Sequence, residues 1–304
     1  MIEVLILAAG VGSRLDPLTR TLPKPALPLG DSTIVGQLVA KARKLGITSL
    51  RSNLHHRPEH MSAALREAAD GLRVDARREP VLTGPAGALH AFDDVLGTAE
   101  AIVVVSGDVS FDDDLAPMVT AHLESGAMLT VATAEVLDGH RFGVFQLDPS
   151  GTPTGFVEKP AWARDRPHRV SAGVYVVAPS LLGRIPHDTV YDFGADLIPA
   201  LIHEPGALLT HSLQGHWDDL GDVATYRKAA LRHASPTIVH PTASIHPTAE
   251  LRGVVHIAPG ARIGAHAVVR DSVVLPGAVI PPHQLVCDAV IGTAPHREDT
   301  TCAS

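Results

Sequence analysis

The chain opens with Met1-Ile2-Glu3-Val4-Leu5-Ile6-Leu7-Ala8-Ala9-Gly10-Val11-Gly12-Ser13-Arg14-Leu15-Asp16-Pro17-Leu18-Thr19. The nearly unbroken aliphatic run Ile2–Ala8 has the look of a central parallel strand covered on both faces. The glycines after it make a loop at the strand's carboxyl end, where backbone N–H groups can approach a polyphosphate with no side chain between. Ala101–Val105 repeats the aliphatic pattern. Between the two runs, Ser32–Gly46 has helical apolar spacing and Ile47–Leu50 reads as a short strand. Strand, Gly-rich loop, helix and strand form the grammar of an open α/β sheet, whose ligands sit beyond the carboxyl ends of its strands.

The opening loop is neither of two well-known phosphate loops. Leu15 stands where a dinucleotide fingerprint needs its third glycine, and the Gly-Lys-Ser/Thr ending of a P-loop is missing. Arg14 follows the glycines instead, with Lys24 ten residues on in Pro23-Lys24-Pro25. Two cations at the mouth of a glycine loop suit a site that binds a triphosphate and steadies a leaving pyrophosphate. Read without context, they are also ordinary surface charges.

From Val239 a different rule takes over. Aliphatic residues recur every six positions, at Ile245, Leu251, Ile257, Ile263, Val269 and Leu275. A small or aliphatic residue follows each by four, at Ala243, Ala249, Val255, Ala261, Ala267, Val273 and Val279. Neither a helix nor a plain strand has this period, whereas a hexapeptide β-solenoid does. The spacing predicts between two and three coils, with a terminal cap starting at Pro281-Pro282. A loose Pro/Gly linker would not hold phase across seven steps. The expected organisation is an α/β domain over residues 1–234, a solenoid over 235–292 and a disordered tail over 293–304.

Composition excludes several functions. At 304 residues and 45% hydrophobic, the chain can bury a sizeable core, and a formal charge of −8 argues against nucleic-acid binding. Eleven aromatics are too few for a base-stacking surface. Two cysteines, Cys287 and Cys302, cannot build a disulfide framework, so a reducing cytoplasm is expected. No run approaches the roughly 18 apolar residues of a membrane span, and the opening residues read as a buried strand, not a secretion signal. Among 18 histidines no zinc-protease spacing occurs. His55-His56 reads as a loop after a strand, and His240, His246, His256 and His266 as solvent-facing residues at coil corners. Asp112-Asp113-Asp114 reads as a solvated loop.

Gly-x-Gly-x-Arg-Leu-x-Pro-Leu-Thr followed by Pro-Lys-Pro resembles the sugar-1-phosphate nucleotidyltransferases. The likeness continues in order through Glu79-Pro80, Gly84-Pro85-Ala86-Gly87-Ala88-Leu89, Ser106-Gly107-Asp108 and Phe142-Gly143-Val144. It ends with Val157-Glu158-Lys159-Pro160, Ser171-Ala172-Gly173-Val174-Tyr175 and Trp217-Asp218-Asp219-Leu220-Gly221-Asp222. It therefore spans essentially the whole chain, and collinear order is far more specific than any single motif.

The resemblance implies a Rossmann-like, mostly parallel sheet domain followed by a left-handed β-helix. It also implies condensation of a nucleoside triphosphate with a sugar-1-phosphate. Guanylyl transfer is slightly preferred, with adenylyl, thymidylyl and uridylyl transfer open. A non-catalytic NDP-sugar-binding regulatory subunit is the alternative from another class, and acyl transfer on so short a solenoid is the third.

By resemblance, Ala9, Gly10, Gly12, Ser13, Arg14, Lys24, Glu79 and Gly87 bind the nucleotide. Gly143, Glu158, Lys159, Ser171 and Gly173 bind the sugar phosphate. Asp108 and Asp219 hold Mg2+, and Arg14, Lys24, Asp108 and Lys159 carry the chemistry. On residue grounds alone, Asp108 is equally a turn acid or helix cap, and Asp218 rivals Asp219. Three positions depart from the family pattern: Ser171 for Asn, Asp222 for Thr and Pro85 for Thr. Only five of the 25 basic residues are lysines, yet Lys24 and Lys159 fall in the two basic motif positions. A homo-oligomer, dimer or tetramer, is expected from the exposed solenoid flank.

Overall fold

The computed structural model describes residues 1–293. The tail expected at 293–304 lies, apart from Thr293, outside the described residues. Two compact units form, the first from residues 1–10 and 38–217, the second from 11–37 and 218 onward. Among the described residues, no helix is long and apolar enough to cross a membrane.

The first unit is built on nine strands: β1 (Ile2–Leu7), β2 (Ser49–Leu54), β3 (Arg73–Arg78), β4 (Ala101–Ser106), β5 (Leu129–Val136), β6 (Gly143–Leu147), β7 (Pro153–Glu158), β8 (His168–Val177) and β9 (Leu208–Ser212). Strands β3-β2-β1-β4 form a parallel half. Strand β8 then adds antiparallel to β4 and also pairs with β5 and β6. The aliphatic strands β1 and β4 are the buried centre, with Val4, Leu5, Ile6, Ile102, Val103 and Val104 fully covered.

Strand β2 starts and ends later than the apolar reading Ile47–Leu50. Its Arg51-Ser52-Asn53 segment is polar, and each side chain is buried with a partner. Arg51 pairs with Glu3, Ser52 Oγ donates to the Ile6 carbonyl at 2.8 Å, and Asn53 bonds across to β1 and beyond β3. Similarly, the helix expected over 32–46 is confined to Ile34–Arg43. Ser32–Thr33 instead pairs with Pro28–Leu29 as a small antiparallel ribbon.

Among the described residues of the second unit the solenoid is present as ten short strands in three parallel sheets, the architecture of a left-handed β-helix of hexapeptide repeats. Strands at 238–239, 256–257, 273–274 and 290–291 stack on one face, and the other two faces hold three strands each. The coils therefore continue beyond Pro281-Pro282 to Ile291, and no cap starts at the prolines.

The six-residue register also slips. Ile257 pairs with Val274 and not Leu275, Ile263 with Ile280, and Val269 with Val286. Two residues, Asp271 and Ser272, make the corner for which the previous coil uses Gly253, Val254 and Val255. Asp271 Oδ1 accepts the Val254 N–H at 3.0 Å, and Ser272 Oγ accepts from Ala289 N at 3.0 Å, so the shortened corner loses no partners. His256 is buried, contrary to the expectation that it faces solvent, and His240 is half-buried; His246 and His266 are exposed as expected.

The solenoid shares one core with other segments of its unit. Leu15, Leu18, Leu27, Leu29 and Ile34 pack with Tyr226, Ala229 and Ala230 of the helix Val223–His233, and with Val273, Leu275 and Val290. The Tyr226 hydroxyl donates to the Pro28 carbonyl at 2.8 Å within this cluster.

Candidate functional site

In the first unit, the residues expected to meet the sugar phosphate gather around the ends of β4, β6, β7 and β8. Asp108 sits half-buried in the turn directly after β4, not at a helix cap. The Gly107 N–H donates to the Leu7 carbonyl at 2.8 Å, anchoring that turn on β1. Facing it, β8 has a bulge between Ser171 and Tyr175. Gly173 lies in the bulge at φ +72°, and a Cβ there would stand 3.0 Å from Ser106 Oγ. Glycine is thus required both by backbone conformation and by the tip of β4.

Glu158, at the end of β7, is enclosed by glycines. Its Oε2 lies 2.7 Å from the point a Gly143 Cβ would occupy and 2.5 Å from the equivalent point on Gly194. Lys159 Nζ pairs with Glu158 Oε1 at 3.0 Å, while the Lys159 backbone is held at φ +46° with its N–H on the Phe142 carbonyl. Tyr175, stacked on Phe193 at 3.9 Å, lies beneath this group. Burial pushes its phenol above the usual range, the Ser171 hydrogen bond opposes that, and the Asp192, Glu158 and Asp108 carboxylates add to the rise. The Asp192, Glu158 and Asp108 carboxylates and the Ser171 hydroxyl therefore all act on the Tyr175 phenol.

Glu79 and Gly87 occupy a second cluster of that unit. The Glu79 carboxylate is buried and accepts from Asn53 Nδ2 at 2.9 Å and from the Thr83 N–H at 2.7 Å. The Thr83 hydroxyl donates a third, short bond to it. The segment Gly84–Gly87 is pinned by the Tyr191 carbonyl, which accepts from Ala86 N and Gly87 N at 3.1 and 3.2 Å. Gly84 has φ +81°, and a Cβ on it would lie 2.5 Å from that same carbonyl oxygen. Ala9 is buried, while Gly10 is exposed with open space around it.

In the second unit, Gly12 has φ +66°, and a Cβ on it would lie 3.2 Å from both Lys24 Cβ and Thr19 Cγ2. The Thr19 hydroxyl donates to the Gly12 carbonyl at 3.1 Å, and Lys24 is buried, so it is not an ordinary surface charge. Ser13 and Arg14 are exposed and begin a short 3-10 turn. Asp219 Oδ2 and Arg14 Nη2 lie 2.8 and 3.0 Å from the same point, the position of a Cβ on Gly221. Asp218 is committed to Arg232 at 2.6 Å, and Asp222 caps the helix Val223–His233 by accepting from Thr225 N at 2.9 Å. Asp219, not its neighbour, thus stands beside the cation.

Asp192 and Gly194 carry no signal in the sequence. Asp192 accepts from Gly194 N and Ala195 N at 2.7 and 2.9 Å, setting the turn that closes on Glu158. No spacing rule couples Asn53 to Glu79, so their contact is not read from the sequence. The Asp112–Asp114 loop is more engaged than a solvated loop should be. Asp113 accepts from Gln214 N and Gly215 N at 2.8 Å each, and Lys41 donates to the Asp112 and Asp113 carbonyls. His55 follows β2 as expected, with Nδ1 2.8 Å from the Glu79 carbonyl oxygen.

Comparison with known proteins supplies a separate line of observation. A family model described as nucleotidyl transferase matches residues 3–235, and one described as GMPPB C-terminal domain matches residues 233–299. A UTP–glucose-1-phosphate uridylyltransferase from Synechocystis sp. is 30% identical over 75% of this chain, which spans 62% of that protein's length. A mannose-1-phosphate guanyltransferase from Schizosaccharomyces pombe is 30% identical over 86% of this chain and 73% of its own. Among solved structures, a putative glucose-1-phosphate thymidylyltransferase from Bacillus anthracis superposes with a TM-score of 0.68 at 24% identity, over 79% of this chain and 98% of that one. At that identity the likeness is one of fold.

Proposed function

The chain belongs to the sugar-1-phosphate nucleotidyltransferase family, and from that premise we propose that it joins a nucleoside triphosphate to a sugar-1-phosphate, with GTP as the preferred donor. A phosphate oxygen of the sugar attacks the α-phosphorus, one P–O bond forms, and the bond to the β-phosphate breaks to release pyrophosphate. Both reactants are anions, so the protein must neutralise charge and hold them in line.

Ala9, Gly10, Gly12 and Ser13 offer loop backbone to the triphosphate, and Arg14 and Lys24 take up the charge of the departing pyrophosphate. Glu79 and Gly87 border the base. Because every Glu79 oxygen already accepts hydrogen bonds, its contribution is to shape that border. Gly143 and Gly173 let the sugar approach the backbone, Glu158 and Ser171 accept from or donate to its hydroxyls, and Lys159 meets its phosphate. The carboxylates of Asp108 and Asp219 are hard oxygen donors of the kind that fit magnesium. Magnesium held by such carboxylates would supply screening of phosphate charge.

The observation that carries this reading is the combination of a buried lysine packed under Gly12 with Arg14 Nη2 and Asp219 Oδ2 both bordering Gly221. The guanosine preference is supported by the C-terminal family match and by the guanyltransferase relative, and the uridylyltransferase relative is its rival.

A matrix of nucleoside triphosphates against sugar-1-phosphates, read by pyrophosphate release, tests it. Magnesium-dependent release with GTP and a hexose-1-phosphate is the expected result. Release with UTP or dTTP alone would overturn the base preference, and silence across the matrix would reject the reaction in favour of an NDP-sugar-binding regulatory subunit. Assembly as a homo-oligomer in the cytoplasm belongs to the same proposal; a monomeric mass by light scattering would refute the assembly.

A further inference from the structure

We propose that His90, Asp93 and His187 form a binding site for a borderline transition-metal cation such as Zn2+, distinct in chemistry from the carboxylates assigned to magnesium. His90 lies in the segment Ala88–Phe92, Asp93 follows three residues later, and His187 comes from a loop nearly a hundred residues away. Their ligand atoms all lie within 4.8 Å of one another.

The hydrogen bonding at His90 gives the argument. Its Nε2 is 2.9 Å from the Ile185 carbonyl oxygen, which only accepts, so Nε2 carries the hydrogen. In the neutral ring Nδ1 is then a lone pair. That nitrogen lies 3.1 and 3.0 Å from the two oxygens of Asp93, which are acceptors as well. Two acceptors face each other only across a cation, either a proton or a metal ion. The His187 ring is stacked on His90 with centroids 3.7 Å apart, bringing a third donor to the same place. A proton satisfies the His90–Asp93 pair by itself and needs no second imidazole; a metal ion uses all three groups.

The supporting contacts have the form a metal site needs. An imidazole ligand is usually held by a bond from its other nitrogen to a carbonyl or carboxylate, and the Ile185 carbonyl plays that part. The His90 side chain is 13% exposed and fixed, whereas Asp93 at 42% has room to move inward, and His187 is also exposed. Such movement is required, since zinc bonds to nitrogen and oxygen are about 2.0–2.2 Å. The neighbouring Asp94 is held by Arg77 at 2.6 Å and does not compete. Two imidazoles and one carboxylate favour zinc, nickel or copper over magnesium.

Filling this site would fasten the loop carrying His187 to the segment 88–93. The same loop presents Thr189 and Tyr191 to Gly84–Gly87, so the cation would stiffen the support of that segment.

The test uses the full, untagged chain after chelator treatment. Calorimetric titration with ZnCl2 in excess Mg2+ should show one ion bound per chain. Zn2+ should also raise the melting temperature, because a ligand of the folded state stabilises it. His187→Ala and Asp93→Asn should each weaken binding by about tenfold or more while leaving the metal-free melting temperature unchanged. Substituting Co2+ should give visible absorption that both variants lose. His266→Ala, which breaks the stacked His266–His283 pair of the solenoid, should leave the affinity as it was. No binding, or binding insensitive to His187→Ala and Asp93→Asn, would overturn the proposal. None of these readouts depends on turnover.

Discussion

Asn53 receives the Ala8 N–H on Oδ1 and donates from Nδ2 to Glu79, each at 2.9 Å, within a buried setting. One amide thus ties the end of β1 to the segment that begins with Glu79. Asn53→Ala would strand a buried N–H and remove a donor from a buried carboxylate, at a cost of about 1–3 kcal/mol. Asn53→Asp keeps the acceptor for Ala8 but sets a second carboxylate against Glu79. Like charges raise the pKa of such a pair in the folded state, so the fold binds more protons than the unfolded chain and gains stability as pH falls. Urea denaturation should therefore find Asn53→Asp weaker than Asn53→Ala at about pH 8, with the order closing or reversing at about pH 5. Equal stability of the Asp variant at both pH values would remove this account. Nothing local marks Asn53 for this role. Its partners come from the ends of two other strands, and the apolar reading of a strand over Ile47–Leu50 stops before the polar residues Arg51-Ser52-Asn53.

Among the elements, the solenoid was the most legible and also the most instructive in its error. A hexad pattern is read by counting, and counting fails where a corner loses one residue, as at Asp271-Ser272. The aliphatic residues that follow, Val273, Val274 and Leu275, allow both registers on hydrophobicity alone. The two registers make opposite demands further on. In the slipped register Ile280 points inward and Val279 outward, and they are 1% and 56% exposed. Ile280→Ala should cost about 2–4 kcal/mol, and Val279→Ala about 0.5 kcal/mol or less. Reversal of that order in denaturant melts would restore the uninterrupted six-residue count. The strand His256–Ile257 adds a pH test. Burial pushes the His256 imidazole down to about 4, and its Nδ1 has no hydrogen-bond partner among the described residues. The folded state therefore keeps this ring neutral while the unfolded chain protonates it near 6.5. Its stability contribution is complete above about pH 6.5 and falls away as pH drops toward 4, by about 3 kcal/mol at most. Thermal melts of His256→Gln should show a flatter acid limb than the parent, and an unchanged slope would assign the acid sensitivity elsewhere.

At the scale of the molecule, the change of period near residue 234 is a change of local structure, and the packing of the second unit does not stop there. Periodicity reports which face of one element is apolar; it carries no information on which distant segment covers that face. Leu15, Leu18, Leu27, Leu29 and Ile34 are covered in part by Val273, Leu275 and Val290. Arg227 also crosses the same point in sequence, donating to the Asp271 carbonyl at 2.9 Å and to the Asp288 carboxylate at 2.6 Å. A chain cut after Ala234 would lose three apolar side chains from this core, each worth about 1.5–3 kcal/mol when fully buried. The loss is comparable with the whole stability of an ordinary domain, about 5–15 kcal/mol. Residues 1–234 alone should therefore bind an apolar dye such as ANS and melt well below the full chain, while the sheet of the first unit keeps its circular dichroism. Adding Leu275→Asp to the full chain should reproduce much of that fall with no residue removed. If the truncated chain instead melts cooperatively at the parent temperature, the core formed by the opening loop, the helix Val223–His233 and the solenoid is dispensable, and the sequence boundary is also the boundary of folding.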